Sequence, residues 1–67
     1  MPITMDMEKL SARIVAARRG RDLESVSREI GVYASSLGHV EEGLPPQLDT
    51  LARLCSWLGT TMDEFVT

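Results

Sequence analysis

Apolar residues recur along the chain at helical spacing, in stretches that end at glycine. Met7, Leu10, Ile14 and Ala17 stand at i, i+3, i+7 and i+10, one face of a first helix that Gly20 should stop. Arg18 and Arg19 fall in its last turn, where cations suit the helix dipole. Asp22 is a good N-cap for a second, short helix carrying Leu23, Val26 and Ile30 and ending at Gly31. Only two or three residues, Gly31, Val32 and Tyr33, then lead to a third helix from Ala34 to Glu42, with Leu37 and Val40 inward and Gly43 at its end. After the clearest loop, Gly43-Leu44-Pro45-Pro46, a fourth amphipathic helix carries Leu48, Leu51, Leu54, Cys55 and Leu58 up to Gly59. A last short helix should run from Met62 to Val66, capped by Thr60 or Thr61, with Asp63 and Glu64 in its first turn. No stretch alternates with β-branched enrichment, so strands are not expected. The pattern predicts an all-α, compact five-helix domain.

Length makes that packing obligatory. A chain of 67 residues forms one domain and buries only about 60% of the surface its unfolded form exposes. Each helix is too short to stand alone, so contacts between helices must hold the fold. With one Tyr, one Trp and one Phe (Tyr33, Trp57, Phe65), the core must be mainly aliphatic. The single cysteine, Cys55, cannot form an internal disulfide and reads as a small core residue. No metal site and no cofactor are expected, because His39 is the only histidine and no Cys/His spacing supports it. No apolar run has the length of a membrane span, and the first residues lack the order of a signal peptide, so a cytoplasmic location is expected. Catalysis is not expected either. The carboxylates are scattered, and no nucleophile–base order or glycine-rich phosphate loop occurs.

Net charge is −3, placed unevenly. Residues 1–21 carry +3, from Lys9, Arg13, Arg18, Arg19 and Arg21 against Asp6 and Glu8. Residues 22–47 carry −4, with only Arg28 against five carboxylates. Composition alone would not suggest a nucleic-acid partner.

The ordered set from about Leu10 to Phe65 changes that. It comprises the short helix from Asp22 to Gly31, the Leu37/Val40-Glu41 pattern, Gly43, the proline-containing loop, the apolar helix from Leu48 to Leu58 and the closing Met62-Asp-Glu-Phe65. This series resembles the phage-repressor (Cro/repressor, XRE-like) helix-turn-helix family, with a lambda-repressor-like fold. The resemblance implies a small DNA-binding transcriptional regulator that occupies an operator as a homodimer. The stretch from Ala34 to Glu42 would be its recognition helix. Gly31 suits the sharp turn between the two helices. Ala34, Ser35, Ser36 and His39 would then face bases, with Ala34 suited to a thymine methyl. Arg18, Arg19, Arg21, Arg28 and Tyr33 would face phosphates, together with backbone N–H groups at helix starts.

Several positions depart from the family pattern. The recognition helix has no Gln, Asn or Arg for bidentate base contacts. Gly38 interrupts it, at a cost of about 1 kcal/mol relative to Ala. His39 is either a base or phosphate contact or an exposed polar residue. Tyr33 either meets phosphate or covers Val32. Glu41 in this family pairs with an arginine of the first helix. The matching position holds Ala16, which leaves Arg13 as the substitute or Glu41 solvated. Glu42 stands where relatives often carry a basic residue. Trp57, Met62, Phe65 and Val66 would form an exposed apolar patch and the dimer interface, unless Trp57 folds back on the core. The acidic middle of the chain supports a rival of another class, in which the fold has lost DNA binding and serves as a protein-interaction module, an antirepressor or partner-binding subunit.

Overall fold

The computed structural model describes residues 4–66. Four α-helices follow one another: α1 (Met7–Arg18), α2 (Leu23–Ile30), α3 (Ala34–Glu41) and α4 (Leu48–Leu58). Among the described residues the only β-pairing is an isolated antiparallel bridge between Met5 and Val66. The fold is thus all-helical and compact, but the fifth expected α-helix is absent. Met62–Phe65 forms a 3₁₀ turn instead. Four residues between extended Thr61 and the bridge at Val66 leave no room for an α-helical ladder.

Local chemistry sets each boundary. Asp6 caps α1 by accepting from the Lys9 N–H at 3.0 Å, while its own N–H donates to the Phe65 carbonyl at 2.6 Å. The two ends of the described chain are thereby tied together. Asp22 caps α2 and accepts from both the N–H and the hydroxyl of Ser25. At the far end of α1 the left-handed turn begins one residue earlier than the glycine would suggest. Arg19 itself adopts φ +53° and Gly20 follows at +77°.

Gly31 closes α2 at φ +92°, and its carbonyl-seeking N–H and that of Val32 both reach Ser27 O. A side chain there would be strained, and the tip of Arg53 would have to shift. The backbone is left-handed, and a Cβ would stand 3.0 Å from the Arg53 guanidinium of α4. Gly38 has no such reason. A Cβ at that position would meet only Leu23 at 3.7 Å, an ordinary contact.

The core is built as the apolar pattern predicts. Leu10 and Ile14 of α1, Val26 and Ile30 of α2, Leu37 and Val40 of α3, and Leu51, Leu54 and Cys55 of α4 are buried. Phe65 joins them with no exposed surface. It was expected on an outer patch, and that expectation fails because the 3₁₀ turn aims its ring inward, where the Arg13 guanidinium lies 5.8 Å from the ring centre. Leu48 departs in the opposite sense. It shares the register of Leu51, yet it is 72% exposed at the first position of α4.

Helix α3 packs chiefly against α1 and α2. One ion pair locks this junction. Arg18 Nε and Nη2 donate to the two carboxylate oxygens of Glu41 at 2.9 and 3.0 Å, and Nη1 donates to the Arg21 carbonyl. Both side chains are largely shielded. Arg18 is thus the first-helix partner of Glu41, in place of Arg13, which pairs with Glu64 at 3.1 Å.

Candidate nucleic-acid interface

The side of α3 that carries Tyr33, Ser36, His39 and the edge of Val40 borders the start of α4, and the two helices leave an open groove between them. It consists of two adjoining hollows of about 380 and 390 Å³, which share Tyr33, Ser36 and Thr50. At one end lie Gly31, Asp49 and Arg53, and at the other His39, Leu44, Pro45 and Gln47. The short turn after Gly31 places Tyr33 at the mouth, 81% exposed, and half-buried Val32 beside it packs against the core. Ser35 and His39 are exposed, and Ala34 and Ser36 are half-buried.

Two helices begin beside this groove without a side-chain cap. Tyr33 precedes α3 and Gln47 precedes α4, and neither side chain accepts from its own first turn. The N–H groups of the first turns of α3 and α4 are therefore left for an outside acceptor. The start of α2 differs, because Asp22 already occupies its donors. An anion is thus favoured at the starts of α3 and α4 and opposed at the start of α2. Asp49 in the first turn of α4 works against an anion there.

The cations expected to meet phosphate are distributed differently from the expectation. Arg18 is spent on Glu41, a structural role that the turn at Arg19 makes possible. Arg21 pairs with Glu29 at 2.9 Å. Arg19 and Arg21 border a separate hollow with Glu29 and Trp57, not the groove beside α3. Arg28 is exposed on α2 and makes no ion pair among the described residues. The cation that does border the groove is Arg53, which the sequence reading did not single out. It is exposed, makes no ion pair among the described residues, and lies against the Gly31 turn. Its signal was available only in three dimensions, since Gly31 and Arg53 lie on different helices.

The expected outer patch is reduced. Trp57 is half-buried against the core, and its indole N–H donates to Glu29 at 3.1 Å. Met62 and Val66 remain at the surface, 36% and 39% exposed. Glu29 accepts from Arg21 and Trp57, which together hold its carboxyl below its ordinary value. Asp22 is likewise lowered, by its hydrogen bonds from the Ser25 hydroxyl and N–H. Burial raises the Cys55 thiol.

Among the described residues no group of three or more His, Cys, Asp or Glu side chains is placed to hold a metal. No helix among them is long and apolar enough to cross a membrane. No known protein family, curated protein or solved structure matches the chain.

Proposed function

We propose that the chain is a small DNA-binding regulator in which α2, the Gly31 turn and α3 act as a helix-turn-helix, with α3 laid along a major groove. The observation that carries this reading is the groove beside α3. There Ser36, His39 and Tyr33 adjoin two uncapped helix starts and the unpaired Arg53. Base edges would meet Ala34, Ser35, Ser36 and His39. Phosphates would meet Arg53, Arg28, Tyr33 and the first-turn N–H groups of α3 and α4. Such a module binds a two-fold site as a dimer, with recognition helices about 34 Å apart. Trp57, Met62 and Val66 are the residues proposed for the dimer contact, and Phe65 supports them from within. Sedimentation of the wild type against Met62→Asp tests this, and a monomeric wild type at high concentration removes the dimer from the proposal.

Titration against mixed-sequence duplex DNA at low salt tests DNA binding itself. Affinity that falls with salt supports it, and loss of part of that slope in Arg53→Ala assigns a phosphate to this residue. The second reading, a protein-interaction module, is favoured by the spending of Arg18 and Arg21 on internal carboxylates. It predicts no duplex affinity at any salt concentration and no gain from Glu42→Lys.

A further inference from the structure

The groove beside α3 has an unusual chemical balance for a surface that reads bases. Guanine is read best by Arg or Lys, and adenine by Asn or Gln. Helix α3 carries none of these. Glu41, of a type that accepts from cytosine, is closed off by Arg18, and Glu42 lies at the opposite end of the helix from Tyr33. The serine hydroxyls at 35 and 36 serve any base and discriminate little. The groove's Gln47 and Arg53 stand on the α4 side; what α3 and the loop after it add is apolar. Tyr33 is 81% exposed and Leu44 is 52% exposed, and both line the same hollow as Ser36 and His39. Ala34 stands at the first position of α3. The 5-methyl of thymine is the one apolar group that a base presents in the major groove.

We infer that this surface selects DNA through thymine methyl groups packed against Tyr33, Ala34 and Leu44, so that its preferred sites are rich in A·T pairs. The inference rests on the DNA-binding reading and specifies what that reading leaves open. Hydrogen bonds from Ser35, Ser36 and His39 position α3, and methyl contacts carry the discrimination.

The test uses 24-base-pair duplexes that differ in the methyl group. Alternating A–T is compared with alternating A–U, which lacks only the methyl. Alternating G–C is compared with G–5-methylcytosine, which gains one at the same place. Wild-type chain should favour A–T over A–U by about fourfold for each methyl it buries, and G–5-methylcytosine over G–C in the same sense. In Tyr33→Ser and Leu44→Ser the A–T to A–U ratio should fall toward one while circular dichroism stays unchanged, since both positions are exposed. Equal affinity for A–T and A–U overturns the inference and leaves DNA binding standing. Failure to bind any of the four duplexes overturns both.

Discussion

On one flank of α3, Glu41 is gripped by two nitrogens of Arg18, and Leu37 and Val40 are buried where α3 meets α1 and α2. On the other flank, facing α4, there is an open groove, two uncapped helix starts and an arginine that pairs with no carboxylate among the described residues. The packed flank satisfies its polar groups internally. The open flank leaves donors, an aromatic and a cation for something outside the chain. A domain of this size has little apolar surface to spare for its own stability. Exposed Tyr33 and Leu44 are the apolar groups on this flank that the DNA-binding proposal puts to use.

The strongest way to break this comparison is to join the two flanks. Gly31 lies between them, with φ +92° and Arg53 against its hydrogen. Gly31→Val should cost at least about 2 kcal/mol, because a β-branched residue resists this backbone and displaces Arg53. For a domain of this size that lowers the melting midpoint by about 10 °C or more. Gly43→Val should cost less. Its φ is +96°, but nothing lies within 4 Å of a Cβ there. Equal midpoints for the two variants would mean that Arg53 does not press on the turn.

Next in size is the Arg18–Glu41 pair. Arg18→Ala leaves a shielded carboxylate with no partner, at a cost of about 1–3 kcal/mol. The side chains retain 21% and 14% exposure, which keeps the loss below that of a fully buried pair. Arg21→Ala breaks a pair whose members are each 48% exposed, and should cost under about 1 kcal/mol. Thermal melts of the two variants side by side decide whether the packed flank depends on Arg18. Matching midpoints would place Glu41 in effectively open solvent.

The four α-helices, the Asp22 cap and the glycine turns were legible in the sequence because each is a local matter. A 3.6-residue apolar period, an N-cap and a left-handed turn are decided within a few residues. The partner of Glu41 was not legible, because it depends on where α1 turns. Arg19 adopts the left-handed conformation one residue ahead of Gly20, which is left-handed as well, and Arg18 at the end of α1 reaches Glu41 of α3. Phe65 was misplaced because a four-residue turn has no period from which to read its inner face. Leu48 matched the α4 period, yet α4 starts beyond the edge of the core. Of the groove, Tyr33, Ser36 and His39 were foreseen from their place on α3. Arg53 was not, since only the crossing of α2 and α4 brings it against Gly31.

Arg53 also allows the open flank to be probed without disturbing the packed one. Its side chain is exposed, so Arg53→Ala should leave the melting midpoint within a few degrees of wild type. If it neutralises one phosphate, the slope of log affinity against log salt should fall by about 0.9. Arg19→Ala, outside the groove, should leave the slope unchanged. The reverse result would move the DNA-facing surface from the α3–α4 edge to the end of α1.

The smallest expected effect is on the pH dependence of stability, and it comes from surface carboxylates outside both flanks. Asp22 and Glu29 are both held below their ordinary values of 3.8 and 4.5 by hydrogen bonds they make only when folded. A carboxylate with a lowered folded pKa binds protons less readily in the native state than in the unfolded chain. It therefore adds stability above its unfolded pKa and loses that contribution as pH falls through its folded one. The melting midpoint should be flat from neutral pH down to about 5.5, then decline through the range of the two ordinary values and below. Both groups sit at the surface, so the decline is shallow and softened by salt. Asp22→Asn retains an acceptor for the Ser25 N–H but cannot titrate, so it should flatten the lower part of the curve. Glu29→Gln retains an acceptor for the Trp57 indole and should flatten the upper part. A midpoint that rises on acidification, or a decline equally steep in the double variant, would place the titrating groups elsewhere and clear Asp22 and Glu29 of the pH dependence.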